Sequence, residues 1–279
     1  MSLPSGLRRA IIASAARGED WLVALDFDGT LAPLRRARSD ARLPHARRLM
    51  LQRLGRMPGV RVVIVSGRQL SDLRRRCRID GAAFSGEHGM SLTGFGRAWS
   101  HPATARLHRE CTALAAAAAR LTLGMPGVEV ERKRTSVSVH WRKSPAVRRR
   151  PEGLGGALAG LLHSGWRLAG GKCVWELRPG LARGKGDAIL LAQRRLGPDA
   201  RVLFIGDDET DEEGFRRLGR AAWTVRVGRG ETAARWRVGG PADVDALLVE
   251  LSAARRQAGF SASPSRTRPR SSTRRAPQR

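Results

Sequence analysis

The segment 21–30, WLVALDFDGT, places two carboxylates, Asp26 and Asp28, at the end of an apolar run. Such a run reads as a buried strand, and Gly29-Thr30 then turns the backbone out of it. In open parallel α/β sheets the ligand crevice lies beyond the carboxyl ends of the strands, so both acids are placed for chemistry. A turn after a strand needs only one of them. The chemistry that suits the pair is phosphoryl transfer. A carboxylate can attack phosphorus and split one hard displacement into two, which fits Asp26 as nucleophile. A second can protonate the leaving oxygen and then deprotonate the attacking water, which fits Asp28 as general acid and base.

Three further segments supply what that chemistry needs. A second apolar run at 60–65 ends in Ser66-Gly67-Arg68, where the Ser66 hydroxyl can bind a phosphoryl oxygen. Lys185, at a helix start, adds a compact positive charge for the same group. Thr30, Gly67 and Arg68 complete the expected phosphate-binding set. Asp26 and a phosphate dianion repel each other, so a metal is required between them. The run Gly206-Asp207-Asp208-Glu209-Thr210-Asp211-Glu212 offers five acids directly after an apolar strand. Oxygen-only donors favour Mg²⁺, with Asp207, the Asp26 side chain and the Asp28 main-chain carbonyl as ligands. Asp208 and Asp211 are expected to support them from behind.

The elements that must hold these residues alternate between strand-like runs and helical patterns, which favours α/β with a parallel sheet. The order breaks in the middle. Residues 128–141 and 166–177 alternate in period two, the texture of half-buried antiparallel strands, with one helix expected near 146–162 between them. This block reads as a small α+β unit inserted into the first. The resulting division is an N-terminal helix or extension over 1–20, a core over 21–103 and 181–252, an insertion over 104–180, and a disordered basic tail over 253–279. That tail carries arginine, serine and proline and no acid.

Charge is a weaker guide than its size implies. The 52 basic and 25 acidic residues leave +27, which by default points to nucleic acid or a membrane surface. Yet lysine occurs only at 133, 143, 172 and 185, and Asn and Tyr are absent. Those three types share AT-rich codons, so much of the arginine reflects codon composition. A retained lysine then marks a place where a guanidinium would not serve. Polyanion binding by the tail is left with little support, and no run is long enough to cross a membrane. Cys77, Cys111 and Cys173 have neither metal nor disulfide spacing and read as reduced thiols of a cytoplasmic protein.

In this order, Asp26-Phe27-Asp28-Gly29-Thr30, Ser66-Gly67-Arg68, Lys185 and the 206–212 segment resemble the four motifs of the haloacid dehalogenase superfamily of phosphatases. The insertion resembles that superfamily's α/β cap. More narrowly, the chain resembles the trehalose-6-phosphate phosphatases over residues 21–251. The signals are Gly86-Glu87-His88-Gly89, then Glu131-Arg132-Lys133 with Ser136 and His140-Trp141-Arg142, then Gly171-Lys172, Glu176-Leu177-Arg178-Pro179 and Lys185-Gly186. Trp141 stands where that family usually has Tyr, and the tail has no family counterpart.

The resemblance implies a haloacid dehalogenase-like Rossmannoid parallel-sheet core with an inserted α/β cap of type C2, Mg²⁺ as cofactor and an aspartyl-phosphate intermediate. It also implies that Glu87, His88, Lys133, His140, Arg142 and Glu176 hold the sugar. The expected activity is hydrolysis of trehalose 6-phosphate to trehalose and phosphate. Sucrose 6-phosphate or a glucosyl- or mannosyl-glycerate phosphate would call for the same chemistry. A basic nucleic-acid-binding module with a vestigial site is the alternative of another class. The complete set of catalytic acids speaks against it, as does the lack of any helix-turn-helix, zinc or RNA-recognition pattern.

Overall fold

Strand β1 (Trp21–Asp26) is apolar on both sides of its pleat, and both sides are covered. In the computed structural model, which describes residues 3–33, 40–181 and 183–261, Trp21, Val23 and Leu25 pack on one face. Their partners come from α1 (Ser5–Ala16), α2 (His45–Gly55) and α9 (Pro241–Ser261). Leu22 and Ala24 pack on the opposite face, with Ile189 of α7 (Lys185–Leu196) and Phe215 of α8 (Glu209–Leu218). Each fully buried Leu or Val contributes roughly 1.5–3 kcal/mol, so this strand anchors the sheet.

The sheet has eight strands in the order β12 (Trp236–Val238), β11 (Trp223–Val227), β10 (Arg201–Gly206), β1, β2 (Val60–Val65), β3 (Ala83–Gly86), β4 (Ser91–Gly94) and β5 (Gly96–Ser100). Pairing is parallel from β12 to β3, with α3 (Leu70–Cys77) crossing from β2 to β3. The last two strands form an antiparallel hairpin that extends the edge.

The insertion builds its own antiparallel sheet in the order β6 (Glu129–Arg132), β7 (Val137–His140), β9 (Val174–Pro179) and β8 (Trp166–Gly171). One face carries Val137, Val139 and Leu177 against α4 (Thr104–Leu121) and the helices α5 (Pro145–Arg149) and α6 (Pro151–Ala159). The single helix expected over 146–162 is thus two. Pro151 cannot donate into a continuing helix, and it begins α6 instead.

Within 1–20 the chain forms the helix α1, with Leu7 and Ile11 buried beside α9. One expectation about the ends is corrected. The tail expected from residue 253 is helical through Ser261. Composition hides the reason: Ala254 packs into the core, and Arg255 donates to the carbonyls of Pro58 and Glu19, both at 2.9 Å, and stacks over Trp21. The rest of that tail, 262–279, lies outside the described residues. No described helix is long and apolar enough to cross a membrane.

Candidate active site

Register alone brings three strand ends together. Asp26 of β1 lies opposite Val65 of β2, so Ser66 follows beside it. Leu25 lies opposite Ile205 of β10, which places Asp207 just past the neighbouring end. Lys185, the first residue of α7, reaches into this group. Its Nζ donates to Asp26 Oδ1 at 2.7 Å and Asp211 Oδ1 at 2.8 Å, and lies 3.4 Å from Asp208 Oδ1. Asp211 Oδ2 accepts the backbone N–H groups of Asp207 and Asp208, and Asp208 accepts that of Asp211, a reciprocal cap that starts α8. Close backbone approach is built in. A Cβ on Gly29, whose φ is +92°, would sit 2.2 Å from Asp207 Oδ2.

The cluster is short of positive charge. Asp26, Asp207 and Asp211 can each offer an oxygen within 4.8 Å of the others. Burial, and then the charge of Asp208, push Asp207 up to about 6. Burial likewise lifts Asp26 above the ordinary carboxylate range, with Asp207 and Asp208 adding to it against the opposing pull of Lys185. Asp26 Oδ2 is buried without a hydrogen bond. An orphaned carboxylate oxygen among crowded acids with oxygen-only donors fits a hard divalent cation. The Asp28 side chain lies outside this trio, and Asp208 is taken up by the helix cap and by Thr210. Asp211, expected behind the ligands, falls within the same spacing, but its Oδ1 accepts from Lys185 and its Oδ2 from the Asp207 and Asp208 N–H groups.

Arg68 departs from its expected place among the phosphate ligands. Its Nε and Nη2 each donate to a different oxygen of Asp28 at 2.7 Å, and Nη1 donates to Asp72 at 3.0 Å. A fork that matches a carboxylate this well is spent on carboxylates. Thr30 donates to Asp207 Oδ1 at 3.2 Å and orients that acid. Ser66 is buried and lines the cleft, as does Gly67.

The cap supplies the opposite wall. Pairing sets Glu131 opposite Ser138, Ser138 opposite Glu176, and Glu176 opposite Ala169, a row on the sheet face away from the apolar core. Between this row and the strand ends lies a cleft of 830 Å³. Lys133 Nζ donates to Glu176 Oε1 at 2.5 Å, joined there by Ser136 at 3.0 Å and Ser138 at 3.3 Å. Burial alone would raise Glu176, but Lys133 and His88 outweigh it and hold the carboxyl well below its usual range. His88 Nε2 lies 3.0 Å from Glu176 Oε2 outside hydrogen-bond geometry, and burial pushes the ring down to about 4. His140 contacts Glu131 at 2.9 Å, and Arg142 donates to the Lys172 carbonyl.

Glu87 does not join that wall. It and His88 take left-handed backbone angles, φ 54° and 55°, and this turn presents His88 to the cleft while Glu87 is buried off it. Gly67 makes room, since a Cβ there would lie 2.3 Å from His88 Nε2. Non-glycine residues held in this region mark a site whose geometry the surroundings enforce. Two cleft residues escaped assignment from sequence. Lys172, at the β8–β9 turn, reaches across to Asp207 Oδ2 at 3.6 Å, and the scarcity of lysine was the available signal. Arg178 is buried on the cleft and faces Glu213 of the core at 3.6 Å.

A sequence profile of the family described as trehalose-phosphatase matches residues 24–238. The chain is 36% identical over 203 residues to a protein named uncharacterized glycosyl hydrolase of Mycobacterium tuberculosis, covering 69% of this chain and 15% of that one. It is 36% identical over 212 residues to trehalose-phosphate phosphatase of Mycobacterium avium, covering 73% and 52%. The chain therefore spans about half the length of the second and far less of the first. The C-terminal domain of C. albicans trehalose-6-phosphate phosphatase shares the fold with a TM-score of 0.74 at 22% identity, over 92% of this chain and 98% of that one. The fold is that of haloacid dehalogenase-like hydrolases with a cap.

Proposed function

The chain belongs to the trehalose-phosphatase family, and from that premise we propose that it hydrolyses trehalose 6-phosphate to trehalose and phosphate. The observation that carries this reading is the Asp26 carboxylate. One oxygen is held by Lys185 and the other is buried without a hydrogen bond, at the floor of a cleft whose far wall is polar and belongs to the cap.

In the first step the Asp26 carboxylate forms a bond to phosphorus as the bond from phosphorus to the sugar oxygen breaks, and Asp28 gives that oxygen a proton. In the second, Asp28 takes a proton from water while the water oxygen displaces Asp26, releasing phosphate and restoring both carboxyls. Lys185 neutralises charge on the transferring group and holds the nucleophile. Asp26 and Asp207, with the Asp28 carbonyl, would hold Mg²⁺, which when bound lowers the repulsion between the acids and the phosphate, and Asp211 and Asp208 would support them from behind. Ser66 and the backbone at Gly67 bind phosphoryl oxygens.

Recognition of the sugar falls to His88, Lys133, His140, Arg142 and Glu176, with Glu87 shaping the turn that carries His88. The buried His88 ring nitrogens, which lack hydrogen bonds, suit sugar hydroxyls that can both donate and accept. Three free cysteines accord with a cytoplasmic setting. The test is phosphate release from a panel of trehalose 6-phosphate, sucrose 6-phosphate and glucosylglycerate phosphate. The highest kcat/KM on trehalose 6-phosphate is the expected result, and a preference for another member would reassign the substrate while keeping the chemistry.

A further inference from the structure

The proposed mechanism leaves one contact unexplained. Asp28 must hand a proton to the leaving oxygen and later take one from water, yet both of its oxygens accept hydrogen bonds from Arg68 at 2.7 Å. Each oxygen keeps a lone pair for a further group, but a proton placed on either one meets an Arg68 N–H that already points at it, so one of the two contacts must loosen when Asp28 acts as an acid. Which partner moves is fixed by what holds each of them. The Arg68 side chain is 5% exposed, donates from Nη1 to Asp72 Oδ2 at 3.0 Å, and lies over the Phe27 ring at 5.4 Å. Asp72 is held in turn by Arg76 at 2.7 Å and Arg75 at 2.9 Å. The Asp28 side chain is 25% exposed and lines the cleft.

We infer that Arg68 is a positioning residue for the acid–base carboxylate: a rigid fork, braced by Asp72, that holds Asp28 at the mouth of the site and yields one of its oxygens to the leaving group. The fork does two things for the reaction. It fixes the Asp28 plane, so that release of a single hydrogen bond by a small side-chain rotation presents an oxygen to substrate. It also keeps Asp28 from swinging toward the crowded acids around Asp26, where like charge would disfavour the incoming phosphate. Arg68 therefore acts through Asp28 and does not itself bind the phosphoryl group.

This inference rests on the phosphatase reading, and the test keeps the two apart. Wild-type turnover settles that reading, and the Arg68 comparison then uses whichever alkyl phosphate of the panel the wild type hydrolyses best. Arg68→Gln and Arg68→Lys are compared with Asp28→Asn and with the double variant Asp28→Asn/Arg68→Gln. Each is assayed for kcat, KM and inhibition by inorganic phosphate. The expected result is a fall in kcat of about tenfold or more in Arg68→Gln, smaller than the loss in Asp28→Asn. Inhibition by phosphate should hold within about twofold, and the double variant should be no slower than Asp28→Asn. Lysine should not rescue, because a point charge cannot grip two oxygens at once. Should the Arg68 variants fail to fold, Asp72→Asn, which loosens the brace, should show a weaker form of the same split. Phosphate inhibition weakened in step with KM would make Arg68 a phosphate ligand and overturn the inference. So would additive losses in the double variant, full rescue by lysine, or an unchanged kcat.

Discussion

Glu176→Ala removes the carboxylate that neutralises Lys133, and the structure says how costly that is. Lys133 is 1% exposed, and its ammonium lies 2.5 Å from Glu176 Oε1. Truncation leaves a buried cation without its anion, a loss of about 3–5 kcal/mol. For a domain of this size each kcal/mol lowers the midpoint by about 2–4 °C, so a fall on the order of 10 °C is expected by calorimetry. Lys133→Met should cost less, because the carboxylate left behind keeps Ser136, Ser138 and His88 beside it. The informative variant is the double, Lys133→Met/Glu176→Leu, which replaces the ion pair by apolar groups of similar volume and should recover most of the lost stability. Turnover of trehalose 6-phosphate should not recover. Each lost charged hydrogen bond to sugar is worth about 1.5–3 kcal/mol, or roughly 10- to 150-fold in kcat/KM, while a small aryl phosphate that never touches the cap should be cleaved almost as before. Additive stability losses in the double would show that the pair is not coupled. Recovery of sugar-phosphate turnover together with stability would show that it is only structural.

Three further outcomes follow from the same geometry. The His88 ring is held down to about 4 by burial, so its contribution is fully present above pH 6.5 and is lost as pH falls from there toward 4, a change of about 3 kcal/mol in all; melting between pH 7.5 and 5 should be flatter for His88→Gln than for the wild type, and parallel curves would refute the assignment. Gly29→Ala forces a Cβ against the Asp207 carboxylate at a left-handed φ, so activity titrated against Mg²⁺ should show a requirement raised about tenfold or more, and an unchanged titration would remove Asp207 from the metal site. Lys185→Arg should lose turnover that added Mg²⁺ does not restore, because a planar fork cannot reach Asp26, Asp208 and Asp211 from one point as the ammonium does; rescue by Mg²⁺ would place Lys185 with the metal.

The strand ends were legible because each combines an apolar run with an abrupt change of chemistry. Asp26, Ser66 and Asp207 all follow such runs, and parallel pairing then brings them side by side whatever the rest of the chain does. The cap row was legible in kind, since period two sends Ser138 and Glu176 to the face opposite Val137 and Leu177. What escaped were contacts between segments distant in sequence. Nothing local distinguishes an arginine that binds phosphate from one that grips Asp28 across 40 positions. No composition rule foretells that Glu87 and His88 adopt left-handed angles usually left to glycine, so which of the two meets the cleft had to come from the fold. The end of α9 was missed for the same reason, because Arg255 looks like the start of a basic tail until its carbonyl partners at Pro58 and Glu19 are seen. The hairpin at Ser91–Gly94 and Gly96–Ser100 has too short and polar a pattern to announce a strand, and only the sheet edge gives it a partner.

The covalent, metal-assisted role of Asp26 is decided by phosphate release from trehalose 6-phosphate by the wild type and by Asp26→Asn, each with Mg²⁺ and with a chelator. Release by the wild type is expected only when Mg²⁺ is present, and none by Asp26→Asn under either condition, with its melting temperature at or above that of the wild type because a buried, crowded negative charge has been removed. Metal-independent release by the wild type, or release by a folded Asp26→Asn near the wild-type rate, would contradict that role.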